Sequence, residues 1–404
     1  MRFVLENKES CLGCTACYNI CPKACIEIKE DEEGFYYPYI DEDQCINCKQ
    51  CLRVCPSFKK ESLIKPLLAY AAQNEDDFCR LNSSSGGVFY LIASSVINEG
   101  GCVFGVVVDE LGVVKHSFAD KIEELKPFRG SKYVQSDLKD TYSSVRKFLK
   151  AGKTVLFSGT PCQIAGLKLF LNSDYSNLLT VDFICHGVSS PGVFRRYLNE
   201  QVKNLNISKD IIFSNFSFRN KKKGWKNYGM YYRMSQDFDN ENSVLYYKTK
   251  RKDPFLRGFL SNLYLRPSCY KCQYRTHSSG SDITLADFWG IGVIKPNFDD
   301  DKGTSLLLIN TCRGKDIIKK IKMRKISMPL HIIHSLFDKT VQPHNKNRKA
   351  FFLSFIAQDD TFLTCIDRYC KEKMYKKIKY ALYDILGAGL YLHKLKYYYN
   401  KLFR

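Results

Sequence analysis

The chain has 404 residues, enough for two or three domains with a large core. Hydrophobic residues make up 45% and charged residues 26%, a balance that excludes a disordered or low-complexity protein. The unusual features are 18 cysteines and a net charge of +20. The chain starts MRFVLENKES and reaches a cysteine motif with no basic-then-apolar leader, so no signal peptide is expected. No apolar run approaches the length of a membrane span. The expected location is a reducing cytoplasm, where grouped thiolates bind metal rather than form disulfides.

Residues 1–56 read as one unit with an internal repeat. Cys11, Cys14, Cys17 and Cys21-Pro22 are followed by Cys45, Cys48, Cys51 and Cys55-Pro56, both runs being C-x2-C-x2-C-x3-C-P. Three thiolates spaced by two residues wrap one corner of a cubane, and the fourth, before its proline, reaches across to the other cluster. The expected sets are therefore Cys11, Cys14, Cys17 and Cys55 for one [4Fe–4S] cluster, and Cys45, Cys48, Cys51 and Cys21 for the second. A pair of structural zinc sites is the alternative, but zinc has no need of the third spaced cysteine or of the proline. The unit resembles bacterial-type two-cluster ferredoxins over its whole length. Such clusters carry negative charge and reduce the formal excess to roughly +14 once a third site is counted. The excess is also uneven, since residues 1–60 hold eight Lys/Arg against ten Asp/Glu, whereas residues 366–404 hold ten against three.

Residues 57–66 (SFKKESLIKP) read as a polar linker. Strand–helix alternation follows. Leu68–Ala72 is a strand, SSSGG at 83–87 opens a helix from Val88 to Ile97, and Cys102–Val108 is a β-branched strand. Thr154–Phe157 is a strand that leads through Gly159-Thr160-Pro161-Cys162 into a helix ending near Leu171. Leu178–Ile184 is a buried strand ending at Cys185, and Pro191 starts a helix through Val202. Strands are expected around 211–218, 228–234, 243–248, 283–286 and 305–309, with a helix near 254–264. Residues 331–404 form a basic, Tyr-rich helical tail. Its amphipathic stretch suits either an anionic membrane surface or plain packing on the body with a solvated face.

A second cysteine constellation lies in the body. Cys162 stands at a helix mouth, where the dipole and free N–H groups favour thiolate, and Cys185 at a strand end. Cys269 and Cys272 form a C-x2-C in LRPSCYKCQYR. Strand ends of an α/β sheet converge on one edge, so these four can meet in a third cluster, although each alone also suits a buried packing role. Cys25, Cys79, Cys102, Cys312, Cys365 and Cys370 have no motif and are expected to pack.

The segments SSSGGVF, RGSKYVQS, FSGTPCQIAGLK, CHGVSSPGVF, LRPSCYKCQYR and SDITLADFWGI occur in an order that resembles the coenzyme F420 hydrogenase/dehydrogenase beta-subunit family over roughly residues 67–315. The resemblance implies FAD and a [4Fe–4S] cluster held by Cys162, Cys185, Cys269 and Cys272. It also implies electron transfer between flavin and one-electron carriers. Residues suited to a dinucleotide accompany it. Ser85-Gly86-Gly87 at a helix start and Gly159-Thr160 between strand and helix suit a pyrophosphate, with Ser83, Ser84 and Thr160 as hydroxyl donors. Arg129 and Lys132 can offset phosphate or reduced-flavin charge, with Ser131 in the same loop. Tyr133 can stack on a ring and Gln135 can bond its edge. An ordinary cap and a solvated loop are the plainer readings of these segments. No G-x-G-x-x-G follows a strand, so a Rossmann site is not indicated.

His186 and Lys132 are the candidate catalytic groups, His186 as a proton shuttle. Asp282 and Asp287 suit acid/base roles but read mainly as loop-fixing carboxylates, and the run Arg219 to Trp225 reads as a tight charged turn that could receive an acidic carrier or an anionic cofactor, a solvated loop being the plainer reading. The expected architecture is an α+β ferredoxin-like two-cluster domain (1–56), a linker (57–66), a larger α/β flavin-binding domain with mixed sheet (67–330) and the tail (331–404). The expected function is an iron–sulfur flavoprotein oxidoreductase linking a ferredoxin-like or other redox carrier to a two-electron partner through [4Fe–4S] clusters and FAD. Its small-molecule substrate is not legible in the residues. A relay subunit with no substrate of its own is the alternative. A nucleic-acid-binding protein with structural clusters is a distant third, because the cysteine-rich unit is acidic on balance.

Overall fold

The computed structural model describes residues 2–5, 7–59, 65–205, 211–236, 243–275, 279–331, 333 and 343–370. In the N-terminal unit β1 (Arg2–Phe3), β2 (Ile26–Glu30) and β3 (Tyr36–Ile40) form an antiparallel sheet of order β1-β3-β2. Short helices α1 (Ala16–Ile20) and α2 (Gln50–Arg53) carry the middle of each cysteine run. The sequence repeat is also a backbone repeat. Gly13 and Thr15 flank Cys14, Asn47 and Lys49 flank Cys48, and all four take φ between 53° and 70°. Left-handed residues beside right-handed ones make the concave, N–H-lined loops that receive anionic groups.

The body begins with β4 (Leu68–Gln73), α3 (Asp77–Leu81), α4 (Val88–Asn98), β5 (Cys102–Val108) and β6 (Val114–Ala119). It continues through α5 (Thr141–Lys150), β7 (Val155–Ser158), α6 (Pro161–Leu171), β8 (Leu178–Phe183) and α7 (Pro191–Lys203). Strands β9 (Ile212–Asn220), β10 (Gly229–Ser235) and β11 (Val244–Thr249) form a separate antiparallel sheet. After α8 (Pro254–Leu260) the chain returns to the main sheet with β12 (Ile283–Asp287), β13 (Ser305–Ile309) and β14 (Arg324–Ser327). The main sheet has eight strands in the order β14-β4-β13-β12-β8-β7-β5-β6. Its centre, β5-β7-β8-β12, is parallel, and the flanking pairs are antiparallel.

The period-two alternation of β7 divides the core. Leu156 faces a layer with Val88, Ile92 and Val181, while Val155 and Phe157 face the opposite layer with Tyr142, Val145, Ile164 and Leu167. The strand β13 is covered on both faces, and Leu306 to Ile309 are fully buried. The mixed α/β architecture matches the expectation. Strand β6, helix α5, strand β14 and the helix Cys312–Lys320 are additions to the expected elements. In β6 the sequence VKHSFA interleaves polar residues, as suits an edge strand.

Packing crosses the expected domain boundaries at two places. First, the N-terminal unit packs into the body. Phe35 and Tyr37 share one core with Tyr264, Leu265, Phe351 and Phe352, and Cys14 and Ala16 share another with Ile164 and Leu167. Residues 60–64 of the expected linker lie outside the described residues. Second, the body does not end at 330. Helices Arg348–Ala357 and Phe362–Tyr369 bury Phe351, Phe352, Phe362 and Ile366 against it, and Arg348 pairs with Glu33 of the N-terminal unit. The basic stretch beyond residue 370 lies outside the described residues. No described helix is long and apolar enough to cross a membrane.

The two parts meet across Gly34 and Gly192. The amide of Gly192 donates to the Gly34 carbonyl (3.1 Å), and a Cβ on Gly34 would lie 2.6 Å from the Gly192 Cα. Gly34 also has φ +78°, which opposes any L side chain. Gly34→Val is expected to cost ~3 kcal/mol or more through backbone strain and overpacking, read as a lower midpoint in denaturant unfolding with unchanged secondary structure at low denaturant.

Candidate functional site

Three cysteine-lined cavities define the site. The inner one, with about 540 Å³ of empty space, contains Cys162, Cys185, Cys269 and Cys272 in its walls. The middle one, about 420 Å³, contains Cys11, Cys14, Cys17 and Cys55. The outer one, about 340 Å³, contains Cys21, Cys45, Cys48 and Cys51. The crosswise sets expected from the two motifs are thus the sets that share a cavity, and the four body cysteines share a third. Among the described residues no three His, Cys, Asp or Glu side chains converge on a point that would hold one metal ion. Each quartet instead lines a space of its own.

The inner cavity lies at the carboxyl ends of parallel strands. Cys162 follows β7 and Cys185 follows β8, at the sheet edge where ligands of α/β proteins bind. Helix α6 starts at Pro161, which places Cys162 in its first turn, and Thr160 and Gln163 form a reciprocal capping box. The Thr160 amide donates to Gln163 Oε1 (2.9 Å), and Thr160 Oγ1 lies 3.1 Å from Cys162 Sγ. Arg266 N donates to the Val188 carbonyl, and Cys269 N to the Arg266 carbonyl, which fixes the C-x2-C loop opposite.

The cavities adjoin. Leu12 and Gly13 line both the inner and the middle one. On α6, one turn beyond Cys162, a Cβ on Gly166 would lie 2.9 Å from Cys14 Sγ. Cys17 of the middle set feels the charge of Cys51 of the outer set. Burial pushes the Cys162 thiol up to about 11, and raises those of Cys14, Cys17, Cys185, Cys269 and Cys272, with neighbouring cysteines adding to most of these shifts. Such thiols deprotonate at neutral pH only when a cation takes the place of the protons.

The residues expected to cradle a dinucleotide have other roles. Gly86 N donates to Ser305 Oγ (3.0 Å), and a Cβ there would sit 2.3 Å from the Ala72 carbonyl oxygen. Close packing on β4 and β13 by itself requires a glycine here. Gly87, at φ +79°, caps α4. Ser83 Oγ donates to the Cys79 carbonyl, Ser85 Oγ to the Thr304 carbonyl, and Ser84 Oγ accepts from Ser131 N (2.7 Å). Gly159 N donates to Val181 O. The Lys132 ammonium closes its own loop by donating to the carbonyls of Pro127 and Arg129, and burial lowers its pKa to about 7. Arg129 lies over Tyr90. Thr160, Gln135 and His186 line the inner cavity instead. His186, its pKa lowered by burial, packs against Phe259 (4.8 Å). Asp282 accepts from Thr180 and Thr311 and fixes loops, as expected.

Several features lie beyond the reach of the motifs. Cys25 Sγ lies 3.4 Å from Cys21 Sγ in the wall of the outer cavity, and Cys312 is exposed, so neither is a plain packing residue. The run 219–225 is not simply a charged turn, because Arg219 and Lys221 are buried. Arg219 pairs with Asp287 and lies over Tyr228 (4.6 Å) and Trp289 (5.0 Å), while among the described residues its Nε and second terminal nitrogen have no well-aligned hydrogen-bond partner, although Tyr133 is close enough to be influenced by it. Trp289 stacks on Trp225 yet remains 40% exposed. Tyr133 stacks on Phe259 (4.5 Å), so ring contacts run from His186 through Phe259 to Tyr133, whose hydroxyl feels the charge of Arg219.

Two family models match the chain, one to each part. Residues 10–58 match the 4Fe-4S dicluster domain, and residues 152–328 match the C-terminal region of the coenzyme F420 hydrogenase/dehydrogenase beta subunit. The match to a dicluster domain therefore precedes the match to the C-terminal region of that beta subunit. An uncharacterized ferredoxin from Methanocaldococcus jannaschii is 43% identical over 36 residues, which are 9% of this chain and 47% of that protein. The chain thus spans about half the length of that curated relative. A solved structure of the F420-reducing [NiFe] hydrogenase complex from Methanosarcina barkeri is 16% identical, covers 72% of this chain and 94% of its own, and superposes with a TM-score of 0.43. That likeness is too distant to carry an argument. The dicluster match covers both sets of four cysteines in the N-terminal unit, and the beta-subunit match covers the inner set.

Removal of the cap that sets Cys162 tests the construction of the inner site. Thr160→Ala is expected to lower stability by ~1 kcal/mol through loss of the helix cap, measured by denaturant unfolding.

Proposed function

We propose that the chain is an iron–sulfur electron relay with three [4Fe–4S] sites in a row, outer, middle and inner. The single observation that carries this reading is the sharing of Leu12 and Gly13 between the inner and middle cavities. Iron–sulfur clusters supply one-electron storage. The protein's part is to hold twelve thiolates in three groups, keep the inner groups away from water and fix the spacing between them. The proposed ligands are Cys21, Cys45, Cys48 and Cys51 for the outer site, Cys11, Cys14, Cys17 and Cys55 for the middle, and Cys162, Cys185, Cys269 and Cys272 for the inner. The outer cavity, bordered by the exposed Ile46, is the end available to a ferredoxin-like carrier.

Anaerobically purified protein should hold about twelve irons per chain. Cys162→Ser should lower that to about eight and leave the signals of the N-terminal pair in place. Unchanged iron in the variant, or zinc in the wild type, would reject the inner site.

A flavin at the far end of the relay is supported by one specific observation, the buried Arg219 whose two nitrogens lack well-aligned partners among the described residues, beside the half-exposed Trp289. A planar, anionic two-electron cofactor such as FAD would find there a guanidinium, the Lys250 ammonium and an indole face. The ring contacts through Tyr133 and Phe259 lead back to His186 at the inner cavity. Such a cofactor would supply two-electron chemistry with a substrate or partner enzyme. On this reading Arg219 and Trp289 take the place of the glycine segments as its principal contacts. Trp289→Ala is expected to reduce copurified FAD at least fivefold with iron content unchanged. Equal FAD in wild type and variant would reject this site, and wild-type protein without flavin would leave the relay reading standing alone.

A further inference from the structure

Arg266 is completely buried between the inner and middle cavities. Its Nε donates to the Cys11 carbonyl (2.8 Å), and one terminal nitrogen donates to the Tyr36 carbonyl (3.1 Å) and to Gln135 Oε1 (2.8 Å). The guanidinium lies 4.0 Å from the centre of the Tyr37 ring, and a Cβ on Gly13 would be 3.0 Å from its central carbon. Among the described residues it forms no ion pair with a carboxylate, and its second terminal nitrogen has no hydrogen-bond partner. A buried cation without a counter-charge is strongly disfavoured. Its charge acts on Cys11 of the middle set and on Cys162 and Cys269 of the inner set.

We propose that Arg266 is the electrostatic joint of the relay, one permanent positive charge shared by the middle and inner sites that raises the reduction potential of both. The inference rests on the three-site reading above. Four thiolates around an iron–sulfur core leave net negative charge at each site, and reduction makes it more negative. A cation beside both sites therefore favours the reduced form of each. When one electron passes from the middle to the inner site, the first is oxidised and the second reduced by one electron, with no bond formed or broken and no proton required. The guanidinium stays charged across the working pH range, so its effect does not switch off. It is a positioning and tuning residue, because its contacts are with backbone, Gln135 and Tyr37.

The test is an anaerobic redox titration of the full-length protein, followed by electron paramagnetic resonance, on the wild type, Arg266→Gln and Arg266→Lys. Arg266→Gln should shift the reduction equilibrium of two of the three clusters about tenfold toward the oxidised form, ~59 mV for one electron. The outer cluster should be unmoved, and Arg266→Lys should stay close to the wild type. If Arg266→Gln fails to retain iron, Gln135→Glu serves in its place. It sets a carboxylate of nearly the same shape against the guanidinium, neutralises its charge and should lower the same two potentials. Twelve irons per chain with unmoved potentials, or an equal shift of all three clusters, would overturn the role of Arg266 and leave the relay intact. About eight irons in the wild type would instead remove the inner site, and the joint with it.

Discussion

One turn of helix α6 sets the distance between two cysteine sites. Cys162, at its start, faces the inner cavity, and Gly166, four residues later, lies against Cys14 of the middle one. Residues i and i+4 share a helix face, so a single rigid element spaces the two groups. Only hydrogen fits at position 166, and the same demand recurs at Gly13, Gly34 and Gly192. The close approach of the two parts therefore depends on glycine backbone meeting backbone at Gly34 and Gly192, sulfur at Gly166, and the Gln135 and Arg266 side chains at Gly13. A larger residue at any of these points would push the two parts, and their cysteine sets, further apart.

The strong positive charge is partly used inside the molecule. Arg219, Lys221, Arg266 and Arg348 are all buried, and they hold loops, aromatic rings and the junction between the two parts. Lys221 donates to three backbone carbonyls, those of Arg80, Ser85 and Lys302, and so ties the SSSGG loop to the loop before β13. The net charge read from composition therefore overstates what a nucleic acid or anionic surface would meet, although Lys and Arg remain in excess on the outside.

How much is legible in the sequence follows from the range of each signal. The crosswise grouping of the eight N-terminal cysteines depends on local spacing and a repeated motif, and it can be read directly. Meeting of Cys162 and Cys185 with Cys269 and Cys272 depends on pairing of β7, β8 and β12, strands up to about a hundred residues apart, so spacing alone leaves it open. Gly86 is ambiguous in sequence because a glycine required by a nearby carbonyl looks the same as one required by a phosphate. The boundary at 330 fails because the aromatic faces of the last two described helices are complemented by Tyr264 and Phe35, distant in the chain. Arg266 stands within a recognisable motif, but its partner Cys11 is 255 residues away and gives no local sign.

The salt bridge between Glu33 and Arg348 spans 315 positions and joins the first cysteine-rich unit to the penultimate described helix. During synthesis on the ribosome the N-terminal unit emerges first, yet its inner flank stays wet until Phe351 and Phe352 have left the exit tunnel. Long-range closure of this kind is slow relative to local folding. The N-terminal thiols are therefore accessible during that interval. Their burial is completed last, by the segment translated last among the described ones that seal them.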